Sequence, residues 1–145
     1  MRRPTGRSDL PASVELVCVD PKRVHEIWPH VAPLIRRAVQ RTNLSHVKDI
    51  EDEVLRGDAL LWIAWDGQRV KAAATTSLIR TERDLVCVLT ACGGDEMRLW
   101  LPLLAKIESY AKAEGCACVR IYGRKGWHRV LDGYRIDHVI LGKAL

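Results

Sequence analysis

The stretch Val86–Leu104, VCVLTACGGDEMRLWLPLL, decides the fold. It opens as an apolar run with the β-branched residues of a buried strand. From Met97 onward its apolar residues recur at helical spacing. Gly93 and Gly94 stand at the change. A strand that feeds a helix through glycines makes either a phosphate cradle, with backbone N–H groups turned to an anion, or a tight turn. Asp95 and Glu96 come next. Carboxylates at a helix start cap it and suit its dipole, but they repel a pyrophosphate at close range. Gly93-Gly94 therefore reads as a turn at the strand exit, with Asp95 or Glu96 capping the helix. Pro102 either kinks that helix or lies in its first turn.

Upstream, ALLWIAW-DG-QRVKAAATTSLI (residues 59–79) places Asp66-Gly67 between two strand-like runs. This predicts a hairpin closed by a two-residue primed turn at those residues. TERD (81–84) then turns the chain into the strand that begins at Leu85, which completes a three-strand antiparallel meander. Earlier still, SVELVCVD (13–20) alternates as a first strand, and Asp20-Pro21 supplies an N-cap and first-turn proline. Val24, Ile27, Val31, Leu34, Ile35 and Ala38 follow at helical spacing, but Pro29 and Pro33 predict a kink or two short pieces. A second helix is expected from Ser45 to a stop at Gly57.

Downstream, Leu99, Leu103, Ile107, Tyr110 and Ala111 mark a long helix closed by Gly115. CACVRIYG (116–123) reads as a strand, GWHRVLDGY (126–134) as a short helix, and IDHVILGKAL (136–145) as a closing strand. The strands on either side of the long helix should be parallel, as in a βαβ crossover. The expected fold is α/β (α+β): a mixed sheet with an antiparallel N-terminal meander, a parallel pair around the long helix, and helices on both faces.

The 145 residues suit one domain, residues 13–145, preceded by a flexible basic arm over residues 1–12. That arm lacks the apolar core of a secretory signal, and charges interrupt every apolar run before it reaches a bilayer span. No membrane partner is expected. Five cysteines without a C-x-x-C pair exclude a zinc ribbon or a secreted disulfide framework and fit reduced thiols in a cytoplasm. The net charge of +5 is unevenly placed. Residues 116–145 carry six cations against two carboxylates, so an anionic ligand belongs near the C-terminal third.

The element order and the tail RVLDGYRIDHVILGKAL (129–145), with Gly133-Tyr134 ahead of the strand Val139–Leu145, resemble the GNAT superfamily of N-acetyltransferases. A narrower likeness, to GNAT-like proteins of tailed phages and prophages, runs through LWIAWDG, ACGG, WLPLL, GRKGW and GYR. The resemblance implies transfer of an acetyl group from acetyl-CoA to the amine of a small molecule or protein, by direct attack, without a metal. In a phage protein the location would be the host cytoplasm. The resemblance assigns cofactor contacts to Leu89, Thr90, Ala91, Cys92, Gly93 and Gly94, with the pyrophosphate at the following helix start. Arg124, Lys125 and Arg129 would meet the 3′-phosphate of the cofactor.

The sequence departs from the resemblance twice. The cradle reads CGGDEMR instead of a run of small and basic residues, and Arg129 stands where the superfamily often carries a tyrosine that protonates the leaving thiolate. No catalytic acid or base is assigned, and acetyl-CoA affinity is expected to be poor. Two readings therefore stand: an acyl-CoA-dependent N-acyltransferase of reduced competence, and a non-catalytic GNAT-fold phage protein that binds a protein or nucleic acid. For the second, GRKGWHR (123–129) offers a basic loop with Trp127 as a stacking surface. The acidic run Asp49, Glu51, Asp52 and Glu53 reads as a solvated helix face or, by resemblance, the wall of a cationic acceptor site. HEIWPH is not a zinc motif, since His25 and His30 lie five apart with Pro29 between them. Cys116 and Cys118 lack further ligands, so no metal site is expected.

Overall fold

A computed structural model describes residues 14–94, 97–123 and 125–145. The basic arm, Asp95, Glu96 and Arg124 lie outside the described residues, as do the side chains of Met97, Leu99, Trp100 and Lys125. Five strands form one sheet in chain order: β1 (Glu15–Cys18), β2 (Leu60–Trp65), β3 (Val70–Arg80), β4 (Leu85–Gly94) and β5 (Cys118–Ile121). Neighbours are antiparallel up to β4, and β4 pairs with β5 in parallel from Val86↔Cys118 to Leu89↔Ile121. Helices α1 (Val24–Thr42) and α2 (Val47–Arg56) cover one face, and α3 (Met97–Ala113) covers the other. The mixed sheet between two helical layers is the fold read from the sequence.

Each face has its own core. Val31, Ile35 and Val39 of α1 close over Leu61, Ile63, Ala73 and Ala91. Leu103, Leu104, Ile107 and Ala111 of α3 close over Trp62, Ala74, Cys87 and Leu89. The indole of Trp62 meets Tyr110 edge-on, with centroids 5.3 Å apart, and donates its N–H to Thr76 Oγ1 at 2.9 Å. That bond satisfies two polar groups that burial would otherwise penalise. Gly115, at φ +85°, ends α3 in the left-handed conformation, as its position after the helix predicts.

Several local readings need correction. α1 is one continuous helix despite Pro29 and Pro33. Both prolines sit on its exposed face, so the carbonyls of His25 and Pro29 that lose partners turn to solvent, while the buried face holds the helix together. α2 starts at Val47, and its cap is His46, whose Nδ1 accepts from Lys48 N–H at 3.1 Å. The β2–β3 hairpin exists, but its turn centres one place later than expected. Asp66 N–H bonds the Arg69 carbonyl at 3.2 Å, which leaves Gly67 (φ +97°) and Gln68 between them. Asp66 Oδ1 accepts from both Gln68 and Arg69 N–H at 2.8 Å, and these bonds hold its carboxyl below the usual carboxylate range. Pro102 lies inside α3.

The C-terminal end differs most. The short helix is a single 3-10 turn, Lys125–Arg129, after which Leu131 enters the core. Residues 135–145 form no strand, and Val139, Ile140 and Leu141 are exposed. A strand needs a neighbour to bond, and this segment stands clear of the sheet. It is held just before that point, where Tyr134 donates its O–H to Glu108 Oε2 of α3 at 2.6 Å. Burial and that carboxylate push the Tyr134 phenol far above its ordinary range.

Candidate functional site

The site is built where β5 ends and β4 does not. Tyr122 N–H makes the last backbone bond between them, to the Leu89 carbonyl at 3.2 Å. β4 runs on to Gly94 with β3 as its sole strand neighbour among the described residues. At the same point β4 carries a bulge. Thr75 opposes Ala91 and Thr76 opposes Leu89, so Thr90 is the extra residue. Its Oγ1 bonds Thr75 Oγ1 at 2.7 Å and lies 3.3 Å from the Thr75 carbonyl, which pins the bulge to the buried centre of β3.

The bulge shifts the alternation of side chains along β4. Cys87 and Leu89 face α3; past Thr90, Ala91 faces α1 and Cys92 returns to the α3 side. Gly93 and Gly94 are the last paired residues of this strand, opposite Ala73 and Ala72. The sequence reading of these glycines as a turn is therefore corrected. Their lack of a side chain serves close packing. A Cβ on Gly93 would come within 2.8 Å of the Leu34 carbonyl oxygen of α1. One on Gly94 would lie 2.9 Å from Ala72 Cβ. Neither glycine opens a hollow for a ligand.

Beside the open half of β4 lies a narrow cleft of about 20 Å³. Thr90, Ala91 and Cys92 form one wall, Ala38, Arg41 and Thr42 at the end of α1 a second, and Tyr122, Gly123 and Trp127 the third. Such a volume holds about one water molecule. Trp127 limits it: the indole packs over Gly123, where a Cβ would sit 3.0 Å from the ring. Burial among apolar neighbours pushes the Cys92 thiol up to about 12, so it stays protonated and is no nucleophile near neutral pH.

Of the cofactor contacts read from the sequence, the structure brings Thr90, Ala91 and Cys92 to the cleft. Leu89 is buried in the core beneath it, and Gly93 and Gly94 are taken up by packing. Arg129 is exposed on the 3-10 turn and does not line the cleft. Arg124 and the Lys125 side chain lie outside the described residues. Sequence reasoning missed Arg41, Thr42 and Tyr122. The first two come from a helix far from β4 in the chain, and no local pattern links them to it. The acids of α2 are elsewhere. Lys48 bonds Asp52 at 2.7 Å and approaches Glu51 at 4.0 Å, and Glu51 lines a separate α1–α2 groove with Trp28 and Arg36. No cluster of three or more potential metal ligands occurs among the described residues. No described helix is long and apolar enough to cross a membrane.

No family profile and no curated protein matches the sequence. Solved structures do match the fold. An aminoglycoside acetyltransferase from an uncultured soil metagenomic sample, in complex with sisomicin, superposes with a TM-score of 0.70 at 8% identity over 92% of this chain and 97% of its own. A GNAT family acetyltransferase from Staphylococcus aureus gives 0.64 at 11% identity over 92% and 99%. A predicted acetyltransferase with acetyl-CoA from Clostridium acetobutylicum gives 0.62 at 10% identity over 89% and 96%. These matches show the fold: a mixed α/β sheet of the kind found in those acetyltransferases. The fold is the GNAT fold that the element order suggested, although the tail does not form its closing strand.

Proposed function

We propose that the protein is an acyl-CoA-dependent N-acyltransferase of weak cofactor affinity. The observation that carries this reading is the one-sided half of β4, Thr90–Cys92, which borders a cleft just past the bulge. A strand edge without a neighbour offers N–H and C=O groups to an extended, amide-bearing chain. The pantetheine arm of an acyl-CoA is such a chain, so the backbone donors and acceptors fit it. The volume fits only once Trp127 turns outward. The neighbours' acetyltransferase chemistry supports the same assignment by analogy of fold.

In this reading the backbone of Thr90–Cys92 aligns the thioester and presents an N–H to the developing oxyanion. The acceptor amine, deprotonated, attacks the carbonyl carbon; the C–N bond forms, the C–S bond breaks, and the proton leaving nitrogen ends on sulfur. Tyr122 provides the phenol of the cleft and is assigned the transfer of that proton. Asp95 and Glu96, next in the chain after Gly94, weaken phosphate binding through like charge. Titration of acetyl-CoA into the purified protein tests the reading. Binding that tightens when Asp95 and Glu96 become Gly and Ala supports it, and no binding at millimolar ligand overturns it. Tyr122→Phe should lower kcat with little change in cofactor affinity.

The tightness of the cleft favours a second reading, a non-catalytic scaffold of the phage GNAT-like type that binds a protein or nucleic acid. In that case acetyl-CoA would not bind, and a labelled oligonucleotide would bind with a steep salt dependence carried by Lys125 and Arg129.

A further inference from the structure

We infer that the acceptor is an amine bearing its own oxyanion, a carboxylate or a phosphate, and that Arg41 selects it. The inference rests on the acyltransferase reading and names the substrate class of that same site. Arg41 is the only charged residue among the described residues lining the cleft, and none of the others is acidic. It sits in the last turn of α1, where Asn43 at φ +54° ends the helix through an N–H bond to the Val39 carbonyl. Arg41 is exposed, and none of the ion pairs among the described residues involves it. Thr42 beside it is turned back, with Oγ1 3.3 Å from the Val39 carbonyl, so it leaves the mouth of the cleft to Arg41.

The charges that would welcome a cationic acceptor are placed elsewhere. Asp52 and Glu51 of α2 are engaged by Lys48, and Glu51 borders the other groove. The acids of α2 do not line the cleft, which fits their reading as a solvated helix face rather than an acceptor wall. A polycationic amine would meet Arg41 with like charge beside a poorly solvated pocket, which is costly. An amine with a nearby oxyanion would place the anion in the planar fork of the guanidinium and its nitrogen toward Thr90–Cys92.

The test uses the full chain, acetyl-CoA and acceptors that differ in charge, with acylated products read by mass spectrometry. Glutamate, β-alanine and phosphoethanolamine form the anionic arm; cadaverine, spermidine and an aminoglycoside form the cationic arm. Faster transfer to the anionic arm is expected, and its carboxylate and phosphate members identify the oxyanion. Arg41→Ala should raise the acceptor KM by about 10- to 100-fold, the worth of a charge-assisted hydrogen bond, with the KM for acetyl-CoA unchanged. Arg41→Lys should recover part of that loss, and Arg41→Glu should turn preference toward the cationic arm. Preferred transfer to cations by the wild type, or an effect of Arg41→Ala on acetyl-CoA alone, overturns the inference but leaves acyl transfer standing. Absence of transfer to every amine, with no acetyl-CoA binding, overturns the parent reading as well.

Discussion

The two halves of β4 differ in residue size and in pairing, and do different things. Val86–Leu89 is hydrogen-bonded between β3 and β5 and buried on both faces. Thr90–Gly94 keeps β3 but loses β5, and its free edge meets a cleft. One inserted residue, Thr90, marks the boundary. The lesson is that the strand changes through pairing and residue size together: bulky residues fill the closed half, and small ones let α1 and β3 approach the open half. The same kinds of backbone groups that join β4 to β5 in one half have no strand neighbour on that side in the other.

Substitutions that act on one half at a time sharpen this contrast. The largest effect is expected from Leu89→Ala, which empties a side chain only 1% exposed in the closed half. It should cost about 2–5 kcal/mol in denaturant unfolding, while the protein that remains folded binds ligand normally. Gly93→Ala strikes the open half. Its Cβ would press on the Leu34 carbonyl, a backbone atom that cannot turn away, so α1 must shift. A loss of about 1–3 kcal/mol is expected, and because α1 carries Arg41, ligand binding should suffer as well. If Gly93→Ala lowers stability and leaves binding intact, α1 does not shape the cleft.

Thr90→Val tests the boundary itself. The methyl replaces the hydroxyl at equal shape, and buried Thr75 Oγ1 loses its 2.7 Å partner. Urea unfolding should show a cost of about 1–3 kcal/mol. The smallest effects concern thiols. Burial pushes Cys87 to about 11 and Cys92 to about 12, from an ordinary 9.0, one thiol in each half of β4. Both thiols keep their protons longer folded than unfolded, so their contribution is complete below about pH 9 and is lost as pH rises toward 11–12. At pH 8 a thiol reagent should label exposed Cys118 promptly and reach Cys87 and Cys92 only on unfolding. Prompt labelling of Cys92 alone would show the open half to be looser than described.

Much of the frame was legible in the chain. The meander, the parallel pair and the Gly115 helix stop follow from alternation, helical period and a left-handed glycine, all of which are local signals. What escaped depends on partners. Gly93-Gly94 looks like a turn until α1 and β3 are seen to press on it from two sides. The bulge at Thr90 exists only relative to Thr75 and Thr76, and two prolines are tolerated in α1 because the fold turns them to solvent. The tail at 136–145 shows the converse. It has a strand's pattern without a strand's neighbour, and the pattern alone does not make one. Arg41 reaches the site through tertiary packing, which spacing cannot foretell.

The central claim is that the open half of β4 is a binding edge. Hydrogen exchange of the intact protein, read by peptide mass with and without saturating acetyl-CoA, tests it most directly. Without ligand, Thr90–Cys92 should exchange faster than Val86–Leu89. With ligand, protection should rise across Thr90–Cys92 and stay unchanged across Val86–Leu89. Equal exchange in the two halves, or protection that appears anywhere except Thr90–Cys92, would contradict the account.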